Sequence, residues 1–163
     1  MNAQEVVPRT YGEYTIGEHQ STRVRVITAA DILAFADLTG DHHPAHTDIE
    51  FAQERFGGQL AHGVLTFGIV VGLTVEDNPL AVAYGYDRIR FPGPVLAGDT
   101  VRASSEVIEL RDHKNPEIGL VVKQYTGINQ RGEVVLVAQH TLAVQRTRSA
   151  EESPSVEETT LAE

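Results

Sequence analysis

The spacing of apolar residues changes several times along the chain, and each change marks a different kind of element. Residues 23–27 alternate polar and apolar positions until Ile27, the pattern of a strand. Thr28 follows, with Asp31 three residues later. A threonine hydroxyl there can accept a hydrogen bond from an unpaired backbone N–H, and an acidic side chain at the third helical position can answer it, so a helix is predicted over about 29–39. Ile32, Phe35, Ala36 and Leu38 give this helix an apolar stripe, and Gly40 supplies its stop. A second, shorter helix is predicted over 49–56, capped by Asp48 and ended by Gly57-Gly58. Residues 63–75 are apolar on nearly every side and rich in β-branched residues; periodicity does not separate strand from helix there, but length favours helix. Asp77-Asn78-Pro79 ends that segment. The remaining runs, 84–91, 100–109, 118–128 and 134–144, read as strands joined by turns containing Pro or Gly, with Gln130-Arg131-Gly132 as a hairpin connection. The expected class is α+β with an antiparallel meander.

Composition narrows this picture. A chain of 163 residues fits one core, taken as a single domain over 1–148. Residues 149–163 hold five glutamates and no basic residue, the composition of a disordered tail. The formal net charge of -10 becomes -10 + 5 = -5 without that tail, still a charge that repels a phosphate backbone, so nucleic acid is not an expected partner. With no cysteine, a disulfide framework, a thiolate metal site and a cysteine nucleophile are excluded. The first residues lack the basic start and apolar run of a secretory signal, and the apolar run 64–75 falls short of the ~20 residues that span a bilayer. A cytoplasmic protein without a membrane partner is expected.

Chemistry concentrates in residues 41–46, Asp-His-His-Pro-Ala-His, where Pro44 favours an extended His43 and a rigid loop. Asp41 and His46 are candidates to share one water molecule. An imidazole, with an ordinary pKa of ~6.5, can give or take a proton near neutrality, while a carboxylate accepts a hydrogen bond and orients the water. The spacing alone equally allows Asp41 to close the loop and His46 to pack as an ordinary side chain. Ala61-His62-Gly63 stands where the long apolar segment begins. If that segment is a helix, the first N–H groups point out of its N-terminus, where negative charge is favoured, and Gly63 lets a carbonyl approach. His42, His43, His46 and His62 with Asp41 are also a possible metal set, although ligands flanking a proline need not converge.

The run Thr39-Gly40-Asp41-His42-His43-Pro44-Ala45-His46 resembles the hydratase signature of MaoC-like proteins, in which a histidine lies five residues after an aspartate. Ala61-His62-Gly63 is similar to the family's His-Gly at the start of its central helix. Arg90-Phe91-Pro92-Gly93-Pro94-Val95 and Gly98-Asp99-Thr100-Val101 are similar to its strand-turn-strand segment. The resemblance covers roughly 15–144. It implies a hot-dog fold, a curved antiparallel β-sheet wrapped around a long central α-helix, usually in a homodimer whose sheets join edge to edge. It further implies an (R)-specific enoyl-CoA hydratase acting on acyl thioesters of coenzyme A or acyl carrier protein. Asp41 and His46 become the pair that activates water, and the Gly63 N–H the donor to the thioester carbonyl, with His62 and His43 as further substrate-side candidates. No metal is implied, and no cofactor apart from the coenzyme A carried by the substrate.

Two departures from the family pattern bear on specificity. His43 stands where asparagine is frequent, and Val70, Val71 and Gly72 offer no hydroxyl where some members carry serine. A hot-dog thioesterase and a non-catalytic acyl-binding or assembly subunit remain as alternatives. Arg88, Arg90, Arg102, Lys114, Lys123 and Arg131 are cations available to coenzyme A phosphates, without an individual assignment.

Overall fold

The computed structural model describes residues 8–147, so the acidic tail expected at 149–163 lies outside the described residues. Two short edge strands, β1 (His19–Ser21) and β2 (Arg25–Val26), precede helix α1 (Ala29–Thr39), the one-turn helix α2 (Pro44–Thr47) and helix α3 (Ile49–Phe56). The central helix α4 (Gly63–Thr74) leads into β3 (Ala81–Arg90), β4 (Thr100–Asp112), β5 (Ile118–Asn129) and β6 (Val134–Gln145). All pairings are antiparallel, in the order β1-β4-β5-β6-β3, with β2 also on β4. The hot-dog arrangement expected from the resemblance is the one observed. Among the described residues, no helix is long and apolar enough to cross a membrane.

Local chemistry accounts for most boundaries. Thr28 caps α1 by accepting from the Asp31 N–H at 3.1 Å, and the Asp31 carboxylate accepts from the Thr28 N–H at 2.9 Å. These Thr28 bonds hold the Asp31 carboxyl below its ordinary pKa. Gly40 ends α1 with φ 77°, a left-handed conformation that costs glycine little. The expected stripe is narrower than its sequence suggests: Ile32 and Ala36 are buried and Phe35 half-buried, whereas Leu38 is 82% exposed. Residues 23–27 give only a two-residue strand, because just Ile27 enters the core. The rigid loop expected at 41–46 is instead partly helical. Pro44 occupies the first helical position, where its missing N–H costs nothing. The His43 Nδ1 accepts the Ala45 N–H at 3.2 Å.

Helix α4 buries Thr66, Val70 and Thr74 against the sheet, while Leu65, Phe67, Ile69, Val71 and Leu73 flank them half-buried. The two hydroxyls return to the helix, Thr66 donating to the His62 carbonyl at 3.3 Å and Thr74 to the Val70 carbonyl at 2.9 Å. Neither buried hydroxyl is therefore left unpaired.

Beyond the last turn of α4 lies a polar core. Lys123, read from sequence as a strand cation open to phosphates, is 3% exposed and paired with Glu76, which removes it from that role. Removing one partner of such a pair strands a buried charge. Tyr14 donates to Glu76 at 2.9 Å, and Asn78 donates to the Tyr14 hydroxyl at 3.2 Å and to the Arg9 carbonyl at 2.7 Å, tying the start of the described chain to the end of α4. Next to this cluster, His140 shares a 2.7 Å hydrogen bond with the Tyr125 hydroxyl through Nδ1 and stacks on Tyr86. Burial, aided by repulsion from Lys123, pushes the His140 pKa down to about 4.

Above the ordinary histidine pKa of ~6.5, His140 is neutral both folded and unfolded and adds no pH dependence. As pH falls from there toward 4, the unfolded chain binds a proton that the folded one refuses, so stability falls. The expected loss from His140 at pH 5, relative to pH 8, is about 2 kcal/mol. Urea unfolding at both pH values checks this: the decline should shrink in His140→Phe, and an equal decline in both proteins would assign it elsewhere.

Candidate active site

The N-terminal end of α4 gathers the residues singled out in the sequence. Gly40 turns the chain so that Asp41 follows α1 directly, and the Asp41 carboxylate accepts the His43 N–H at 3.3 Å. His46 sits on the short α2, and segment 59–61 is strapped to that helix. Leu60 N–H donates to the Ala45 carbonyl at 3.0 Å, and the Gln59 side chain donates to the His46 carbonyl at 2.6 Å. His46 Nδ1 lies 2.7 Å from the Leu60 carbonyl oxygen.

That last contact fixes a tautomer. A carbonyl oxygen only accepts, so Nδ1 carries the hydrogen and Nε2 of the neutral ring keeps its lone pair. His62 repeats the arrangement with the nitrogens exchanged: its Nε2 donates to the Asp41 main-chain carbonyl at 3.0 Å, leaving Nδ1 as the unprotonated nitrogen, buried and without a partner. The His46 and His62 rings stack with centroids 3.7 Å apart and 25° between their planes. His62 is therefore placed to hold both members of the pair, one through its main chain and the other through its ring face.

A carboxylate oxygen of Asp41 and one nitrogen each of His46 and His62 lie within 4.8 Å of one another. Two hydrogen bonds of ~2.8 Å meeting at a tetrahedral oxygen span about 4.6 Å, a distance that falls inside this limit. The same three groups are the candidate metal set.

His62 is the residue before α4, and Gly63 is that helix's first residue. The first N–H groups of a helix have no acceptor within it, so the Gly63 N–H points out toward the same end as the pair. A Cβ at Gly63 would meet the Phe91 ring at 3.0 Å, so a larger residue there would push that exposed ring aside. Phe91 follows the end of β3, where the register shifts between Asp87 and Arg90. Between those two residues lies Arg88, a non-glycine residue at φ 51°. A local irregularity of this kind bends a strand and re-aims the side chains that follow it.

The other candidates separate. His43 caps α2 and meets His46 and Phe51 edge-on, while His42 turns away to lie 3.8 Å from Asp37. Arg131 is occupied by Asp99 and Glu133. The sequence reading missed Leu60, Gln59 and the ring of Phe91 over Gly63. Leu60 acts through its main chain, which no side-chain pattern reveals; Phe91 could be traced only through the motif that contains it.

Comparison with known proteins agrees with this geometry. Residues 12–129 match the MaoC like domain. A 3-hydroxyacyl-thioester dehydratase Z of Mycobacterium tuberculosis is 34% identical over 119 residues, covering 69% of this chain and 79% of the relative. An (R)-specific enoyl-CoA hydratase of Rhodospirillum rubrum is 30% identical over 147 residues, covering 88% of this chain and 97% of the relative. Among solved structures, a monoamine oxidase regulatory protein from Archaeoglobus superposes with a TM-score of 0.80 at 36% identity, covering 86% of this chain and 97% of the other. With the domain match spanning most of the chain and the fold and site motifs in place, the chain belongs to the MaoC-like family.

Proposed function

We propose that the protein reversibly hydrates a trans-2-enoyl thioester of coenzyme A or acyl carrier protein to the (R)-3-hydroxyacyl thioester. The observation that carries this reading is His46, held through Nδ1 by the Leu60 carbonyl, with one of its ring nitrogens and an Asp41 carboxylate oxygen within 4.8 Å of each other. The names of the two relatives support the same reaction class.

In the hydration direction, Asp41 accepts one hydrogen of the bound water and orients its oxygen toward C3. His46 Nε2 takes the other hydrogen as the C3–O bond forms. The C2=C3 electron pair moves toward the thioester, and the developing enolate oxygen is met by the Gly63 N–H. An N–H so placed lowers the barrier because charge appears there only during reaction; removing a comparable donor in other enzymes costs about 2.7 to 4 kcal/mol. The enolate then collapses as C2 takes a proton from the His46 imidazolium on the face where water added. Dehydration is the reverse path. The pair works without a metal ion in this proposal, and coenzyme A enters only as part of the substrate. A cytoplasmic setting accords with the cysteine-free composition.

A homodimer is part of the reading. Strand β3 closes one side of the sheet, with Val82 65% and Tyr84 59% exposed. Such an edge offers apolar side chains together with unpaired backbone groups to a second copy.

Incubation with crotonyl-CoA should remove the conjugated enoyl absorbance without releasing free thiol; thiol release would instead identify a thioesterase. Asp41→Asn and His46→Gln should each lower kcat about a hundredfold or more while far-ultraviolet circular dichroism stays unchanged, and near-normal rates in either would remove that residue from the mechanism. Dialysis against a chelator should leave activity intact. A stoichiometric ion whose removal abolishes turnover would overturn the metal-free mechanism. Light scattering should give twice the chain mass, and Tyr84→Lys at the β3 edge should lower it.

A further inference from the structure

His62 is the most enclosed member of the cluster at the start of α4. Its ring is 3% exposed and packs against His46, with centroids 3.7 Å apart, and against Phe35, with centroids 4.9 Å apart. By contrast, His46 is half-buried and Asp41 exposed. Neither His62 nitrogen is open to a substrate: Nε2 donates to the Asp41 main-chain carbonyl at 3.0 Å, and Nδ1 is buried without a partner. A side chain so placed acts on the reacting atoms only through its neighbours.

The unpartnered nitrogen bears on which of the two stacked rings carries charge. A proton on His62 Nδ1 would make a buried cation whose new N–H has no acceptor, a costly arrangement. His46 shares its cluster with the Asp41 carboxylate, an opposite charge within 4.8 Å. Positive charge in the stack is therefore favoured on His46, with His62 as an uncharged face against it. The face of a neutral aromatic ring is electron-rich and attracts a cation within ~6 Å of its centroid, and the His46 ring lies inside that distance. Among the described residues, the ring stacked on His46 is that of His62, whereas His43 meets His46 edge-on at 5.9 Å.

We propose that His62 is a positioning residue of the hydratase site: its Nε2–H holds the main chain at Asp41, and its uncharged face stabilises the imidazolium that His46 becomes. This rests on the hydratase reading above. As water adds at C3, its proton passes to His46 and the ring turns positive; the charge is discharged when C2 takes that proton. An attraction that grows only while the charge exists raises kcat and leaves substrate binding nearly unchanged.

Two measurements test this. His62→Leu removes both the donor and the ring face, whereas His62→Phe removes the donor and keeps a neutral face. With crotonyl-CoA, His62→Leu should lower kcat about thirtyfold and His62→Phe should recover about tenfold of that loss, with KM within about twofold of wild type in both. Equal kcat in the two folded variants, or a loss confined to KM, overturns the proposal. If His62→Leu does not fold, His62→Phe decides alone: kcat within about fivefold of wild type supports the proposal, and a loss of about a hundredfold overturns it. Separately, magnetic resonance of nitrogen-labelled histidines in the wild-type protein at pH 8 should show His62 as a single neutral tautomer with its hydrogen on Nε2. A charged His62, or one with its hydrogen on Nδ1, overturns the proposal. Should that tautomer be found in a protein that hydrates no enoyl thioester, it is the hydratase reading that fails, and the contacts of His62 are structural alone.

Discussion

Two main-chain carbonyls determine what the paired imidazoles can do. The oxygen of Leu60 holds the hydrogen of His46 on Nδ1, and the oxygen of Asp41 holds that of His62 on Nε2. A free imidazole exchanges tautomers readily; here each ring is committed by an acceptor that has no proton to give. Without the Leu60 contact, the hydrogen of the His46 ring would be shared between its two nitrogens, and the water-activating role proposed for it with Asp41 would lose its fixed orientation. The straps between segment 59–61 and α2 serve this single orientation.

The fold contributes by choosing where these carbonyls lie. Helix α4 packs Val70, Thr66 and Thr74 on the sheet, which sets the position of its N-terminus, and the residue just before that terminus is His62. At the opposite end the Lys123–Glu76 pair and the Tyr14–Asn78 bonds secure the exit from the helix. A buried ion pair of this kind adds little net stability relative to apolar packing, but it penalises any displacement that would separate the charges. It therefore acts more as a constraint on position than as a source of stability.

Much of this was legible in the sequence, for reasons that can be named. The cap of α1 needs only Thr28, Asp31 and Gly40, all local, and it formed as expected. The long strands were visible because alternation and turn residues are local as well. Asp41 and His46 were identifiable by spacing and by likeness to a family signature, and the structure brings them together. What escaped depended on partners remote in the chain. Strand β1 is a run of exposed polar residues whose only reason to be extended is β4 beside it. Lys123 looks like a surface cation until Glu76 is seen opposite, and the unpaired His140 nitrogen is visible only once three strands and a helix enclose it. The α2 turn was missed for a subtler reason: its cap is an imidazole, a residue type that seldom signals a helix start.

The position of His62 immediately before Gly63 has a mechanical consequence. The ring that contacts Asp41 and His46 and the amide proposed to meet the acyl carbonyl belong to adjacent residues at the start of one helix. A small tilt or slide of that helix moves the His62 ring and the Gly63 N–H together, so their mutual alignment does not depend on the surrounding sheet. The sheet and its edges are thereby free to change without disturbing the cluster gathered at the start of α4.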